Sequence, residues 1–140
     1  MFSSWWSTRW LASACDDPVT CLKEWRLSES GVALLPAGRL WDALAVPESL
    51  GYGLLGSIAP GGHTPAGPVL RDRKRHELVL LTTPAEPPGA LGQVARHLTT
   101  GTWVAVPDPA RSVEDLSWLA PPDGSGRLFS PEALRCALTP

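Results

Sequence analysis

Short apolar runs broken by proline and glycine constrain this chain more than any other feature. Val32, Ala33, Leu34 and Leu35 form one run that stops at Pro36, Ala37 and Gly38. Residues 40–46 form a second that stops at Pro47, and Trp103, Val104, Ala105 and Val106 run into Pro107. Runs this short suit strands better than amphipathic helices, and proline cannot continue a strand ladder. Two more runs, 68–71 and 78–83, flank a charged stretch and read as a β-hairpin with a charged tip. Ser117, Trp118 and Leu119 read as a short partner strand.

Helical signals fill the gaps between these runs. Trp5, Trp6 and Trp10 recur at near-helical spacing. Asp16, Asp17 and Pro18 then supply a capping acid followed by proline, so a helix is expected from about 18 to 26 with Val19, Leu22 and Trp25 on one face. Residues 47–58 carry Leu50, Leu54, Leu55 and Ile58 at helical period, weakened by Gly51, Gly53 and Gly56. Ser130, Pro131 and Glu132 start a last helix through about residue 138. The pattern predicts an α/β or α+β fold: a small mixed β-sheet packed by helices, in one domain over residues 1–140. Within it, 1–27 form a helical N-terminal segment and 28–140 a sheet-containing body. Trp25, Trp41, Leu44, Leu80, Trp103 and Val104 are the expected core.

Composition narrows the function classes. Twelve basic against 14 acidic residues give a net charge of −2, so global charge lends no support to nucleic-acid binding. No stretch approaches the ~20 apolar residues of a membrane span. Leu11 to Cys15 superficially resembles a lipoprotein cleavage box, but Arg9 and several serines interrupt what precedes it. Cys15, Cys21 and Cys136 fit neither a disulfide framework nor a four-ligand zinc site, and are read as reduced thiols in a cytoplasmic protein.

Few residues point to chemistry. Strand alternation puts Asp42 on the face of Leu40, Leu44 and Val46, where a carboxylate needs a partner. A metal cation is one candidate; an ion pair with nearby Arg39 is the simpler one. Arg71, Arg73, Lys74 and Arg75, followed by His76, form the only basic run, with Asp72 inside it. Such a run is either a solvated hairpin tip or a phosphate contact. His63, His76 and His97 lack metal-ligand spacing, and no serine or cysteine sits in a nucleophile motif. Gly51, Gly53 and Gly56 spell G-x-G-x-x-G, but inside a helical pattern, where the backbone N–H groups cannot cradle a phosphate.

In its order of segments the chain resembles the N-terminal domain of bacterial bifunctional DNA primase/polymerases, in a shortened, divergent form, from about residue 25 to 119. The similarity rests on Trp25, the strand and turn of residues 32–38, and Leu40-Trp41-Asp42-Ala43-Leu44-Ala45-Val46-Pro47. The glycine-containing helix, the hairpin to Leu81 and Gly101-Thr102-Trp103-Val104-Ala105-Val106-Pro107 complete it. The resemblance implies that residues 40–46 correspond to the metal-binding strand. The active family has Asp-x-Asp there, whereas this chain has Asp42-Ala43-Leu44. A further Asp normally precedes the Gly-aromatic strand, where Leu98-Thr99-Thr100 stands. The family histidine falls on His76, or on Leu78 if Pro84 is the anchor.

Two-metal nucleotidyl transfer needs several carboxylates to fix its cations. The expectation is therefore a catalytically degenerate primase/polymerase-like protein that contacts single-stranded or primer-template nucleic acid, or nucleotide, through Arg71, Arg73, Lys74, Arg75 and His76. No cofactor is expected; Mg²⁺ or Mn²⁺ at Asp42 would enter only if the protein were an active enzyme. The alternatives are a protein-interaction or structural module on the same scaffold, and an active primase/polymerase with rearranged ligands. No membrane partner is expected.

Overall fold

A computed structural model describes residues 4–29, 31–58, 67–109 and 115–138, with side chains from residue 7 onward. Two helices lead, α1 (Ser4–Ala12) and α2 (Pro18–Leu27), followed by β1 (Val32–Pro36), β2 (Asp42–Pro47) and α3 (Glu48–Ile58). The hairpin β3 (Val69–Asp72) and β4 (Glu77–Thr82) comes next, then a single-turn α4 (Leu91–Val94) and β5 (Arg96–Leu98). The chain continues through β6 (Trp103–Pro107), β7 (Leu116–Ala120) and α5 (Pro131–Leu138). No helix among the described residues is long and apolar enough to cross a membrane.

The fold is α+β. Five strands form one sheet in the order β5-β2-β4-β3-β7, and β1 and β6 form a separate two-stranded ribbon. Every pairing of these strands is antiparallel; a parallel contact is the isolated bridge from Thr82 to Phe129. Strand alternation gives the five-stranded sheet two apolar faces. Ala43, Ala45, Leu70, Val79 and Leu81 pack under Leu11, Trp25, Trp41 and the inner residues of the ribbon. Leu44, Val46, Val69, Leu78 and Leu80 pack against Leu91, Phe129 and Leu134, with Leu50, Leu55 and Ile58 of α3 half-buried beside them. The sheet is thus the middle layer, which is why β2 and β4 read as continuous apolar runs.

Two glycines fit close approaches. Gly38 has φ +93°, and a Cβ there would fall 2.3 Å from the Thr100 Oγ1, so the turn between β1 and β2 admits no side chain. At Gly51 a Cβ would lie 2.6 Å from Leu78, which lets α3 lie close on β4. The glycines of the G-x-G-x-x-G pattern lie within α3, as their helical context indicates.

The N-terminal helices hold the ribbon. Asp17 caps α2 by accepting from the Thr20 N–H and hydroxyl, as the Asp-Pro signal foretold. The buried Trp25 indole N–H donates to the Val106 carbonyl at 2.9 Å. On α1, the Ser7 hydroxyl donates to the Pro122 carbonyl and the Thr8 hydroxyl to Asp108 at 3.0 Å.

Three expectations need correction. Trp25, Trp41, Leu44, Leu80 and Val104 are buried, but Trp103 is 62% exposed. In a two-stranded ribbon, Trp103 and Val104 point to opposite faces; the inner face is taken by Val104 and Val106 with Ala33 and Leu35. Cys15 and Cys21 are not reduced thiols; they form a disulfide, and only Cys136 is free among the described cysteines. The turn after α1 folds α2 back on it and sets both sulfurs in the same core. Finally, the second strand starts at Asp42 rather than at residue 40, and α4 and β5 lay in stretches without a strand or helix signal.

Candidate functional site

Asp42 opens β2 and faces the helix-covered side of the sheet, yet it is only 1% exposed. Three donors converge on its carboxylate. His97 Nε2 lies 2.7 Å from Oδ2 and the Ala85 N–H donates to the same oxygen at 3.2 Å. The Thr99 hydroxyl donates to Oδ1 at 2.8 Å. A carboxylate can only accept, so Nε2 carries the ring proton in this contact.

The local topology explains the convergence. Register pairs Ala43 with Leu98 and Leu44 with His97, so the alternate residues His97 and Thr99 flank Asp42 on its own face. Ala85 arrives from the loop that leaves β4. Thr82, opposite Asp42 on β4, is fully buried, and its hydroxyl has no hydrogen-bond partner among the described residues.

The Asp42–Arg39 pairing expected from sequence does not form. Arg39 pairs with exposed Asp16, because Arg39 lies in the turn before β2 while Asp42 is already inside the sheet. As a candidate metal ligand Asp42 has His97 beside it, but among the described residues no three His, Cys, Asp or Glu side chains group together. A cation here would have to displace donors already seated on both oxygens.

The basic run is distributed among acidic partners rather than presented as one patch. Arg71, half-buried, donates to Glu48 at 2.8 Å. Lys74 lies 3.7 Å from Asp115, and Arg75 lies 4.0 Å from Asp72. The Arg73 N–H donates to the Asp115 carbonyl, and the His76 carbonyl accepts from the Glu48 N–H. His76 itself takes φ +54° in the tip and is exposed. His63 lies outside the described residues.

A second feature arises where the ribbon meets the sheet. Trp103 and Leu34 are 62% and 55% exposed on the outer face of the ribbon, and Ala105, paired with Leu34, shares that face. Next to them is a cleft of about 230 Å³. Its floor includes Leu70, Val79 and Leu98, and Arg75, its ion-pair partner Asp72 and Arg96 also line it beside Trp103. Arg96 is held by Glu77 at 2.8 Å. A shallow trough lined by Glu24, Leu34 and Trp103 continues along the ribbon.

His97, Thr99, Arg96 and Trp103 were not singled out as site residues from the sequence. The signal for the first two was present: a lone strand carboxylate demands donors, and His97 and Thr99 stand two apart, the spacing of one strand face. Comparison of the chain with family models, with curated proteins and with solved structures gave no match.

Proposed function

We propose that this chain is a primase/polymerase-like scaffold without polymerising activity that binds single-stranded nucleic acid, in the cytoplasm, across the Trp103 side of the ribbon. The observation that carries the reading is an indole left in water beside a cleft containing two guanidinium groups. Bases stack on an aromatic face regardless of sequence, and nearby arginines hold the phosphates. A cleft with an apolar floor admits the ring of a base, while Arg75 and Arg96 stand where the backbone would pass. Of the basic run, only Arg75 contributes to this cleft.

The Asp42 environment supports the non-catalytic half of the reading. Where the resembled family carries a further Asp, Leu98-Thr99-Thr100 stands, and Thr99 of that segment donates to Asp42. Protein donors thus occupy the carboxylate that would otherwise bind a cation. Two-metal transfer requires several oxygen ligands per cation, and one carboxylate already accepting three hydrogen bonds does not provide them.

The test is fluorescence anisotropy with short labelled single strands over a salt series. Binding should weaken with salt, and Trp103→Ala should reduce affinity roughly tenfold, within the range for lost base stacking. Replacing Arg75 and Arg96 should lower the salt slope by about 1.4 if both meet phosphates. Binding that is indifferent to Trp103 would refute the interface. A second reading has its own observation: Leu34, Trp103 and Ala105 together form an exposed apolar strip that also suits a protein partner. Absence of any salt-dependent nucleic-acid binding would favour it.

A further inference from the structure

We propose that the Cys15–Cys21 disulfide is a reversible staple that sets how firmly the β1–β6 ribbon is held, and thereby how Trp103 is presented. The ribbon shares no strand pairing with the five-stranded sheet. Its position depends on what packs against its inner face and on a few anchoring bonds. Two of those anchors come from the helical hairpin α1–α2: Trp25 of α2 bonds the backbone of β6, and Thr8 of α1 bonds Asp108 just beyond β6.

The disulfide joins the end of the α1 turn to the first turns of α2. Both sulfurs lie in the core cluster that contains Trp25, Ala33, Leu35, Val104 and Val106. Closing this bond therefore restrains the two helices from which the ribbon hangs. Trp118, whose indole donates to the Pro107 carbonyl at 2.8 Å, anchors the same end of β6 from β7, independently of the bond, so opening it loosens the ribbon without releasing it.

With the cytoplasmic location proposed above, a disulfide of this kind is transient and redox-responsive rather than permanent. The exchange is balanced with a low-molecular-weight disulfide such as glutathione disulfide. One protein thiolate attacks it and expels one glutathione thiolate. The second protein thiolate then attacks the mixed disulfide, forming the Cys15–Cys21 bond and expelling the other glutathione; two protons leave the cysteines and two glutathione thiols are produced. A dithiol reverses both steps. Once reduced, both thiols remain small apolar fillers of the same space, so the core persists while the covalent restraint is gone.

The consequence for binding and the reversal of the bond in the cytoplasm rest on the proposed function; the mechanical restraint does not, and its test uses no ligand. Hydrogen exchange is followed in protein with Cys136→Ser, so that the exposed thiol takes no part, after treatment with glutathione disulfide or dithiothreitol. Mass spectrometry under non-reducing conditions verifies each state. Reduction should speed amide exchange in β1 and β6 by about tenfold and leave β2 and β4 nearly unchanged, as expected of local opening. The additional double variant Cys15→Ala, Cys21→Ala should exchange at the reduced rate whatever the reagent; if that variant does not fold, the two states of the parent protein decide. Ribbon exchange that is equal in verified oxidised and reduced protein would overturn the proposal, as would thiols that never pair under glutathione disulfide in the folded state. Redox-dependent exchange without nucleic-acid binding in either state would sink the functional reading and leave the staple standing.

Discussion

At Asp42 a buried carboxylate is joined to partly buried donors of its own chain, whereas on the outer face of the β1–β6 ribbon a tryptophan and a leucine are left in water. The difference separates what holds the fold from what is free to bind. A buried carboxylate with three donors already carries its interactions within the chain; little is left over for a ligand. An indole that is 62% exposed contributes little to the core, and its large apolar surface stays available to a partner.

The largest effects expected from this contrast are on stability at the buried end, first at fully buried Trp41 and then at Asp42. Asp42→Ala removes the shared acceptor and leaves the His97 ring N–H, the Thr99 hydroxyl and the Ala85 N–H without it. Taking a buried acceptor away from partly buried donors costs about 2–3 kcal/mol, read as a lower urea midpoint. A change under about 1 kcal/mol would mean that water or another group replaces the carboxylate. Removing the disulfide ranks next. Its partners are six residues apart in sequence, and closing so short a loop stabilises by about 2 kcal/mol in the chain-entropy account. The double alanine variant should show that loss, and reductant should no longer affect it.

At the exposed end the expected effect on folding is small. Trp103→Ala should change stability by less than about 1 kcal/mol, while Trp41→Ala, fully buried on the other side of the comparison, should cost about 3–5 kcal/mol. Equal losses at the two tryptophans would erase the distinction between ribbon face and core. Smallest is an acid effect at the start of α2. Hydrogen bonds from the Thr20 hydroxyl and N–H hold the Asp17 carboxyl below its ordinary value of 3.8. A lowered folded value means that the cap stabilises the protein fully above that ordinary value, and the contribution fades as pH falls through the lowered one. Asp17→Asn should therefore flatten the decline of the thermal midpoint below about pH 4.

Much of the fold was legible because its strands announce themselves. The runs ending at Pro36, Pro47 and Pro107 became β1, β2 and β6, and the charged stretch became the tip between β3 and β4. Strand β5 was not legible: Arg96, His97 and Leu98 carry no apolar alternation and are strand only because β2 offers them an edge. Trp103 was misplaced because a strand run reveals its two faces but not which one meets the core. For a ribbon that packs on one side only, tertiary packing against Trp25 decides. The candidate site was half legible. Asp42 stood out as a carboxylate on an apolar face, but its donors arrive from β5 and from the loop after β4, distant in sequence. The basic run looked like a patch because acids such as Glu48 and Asp115, which divide it, also come from elsewhere in the chain.

The measurement that bears most directly on the central claim is a primer-extension assay with Mg²⁺ and with Mn²⁺, run in parallel with Asp42→Ala, with the thermal midpoint of each protein followed across a Mn²⁺ titration. If Asp42 is an internal acceptor, neither protein extends a primer. The wild-type midpoint then stays flat with metal, because a cation that does not bind the native state cannot stabilise it. Metal-dependent synthesis by the wild type, lost in Asp42→Ala and accompanied by a rising wild-type midpoint, would show that the carboxylate holds a catalytic cation and would contradict the account.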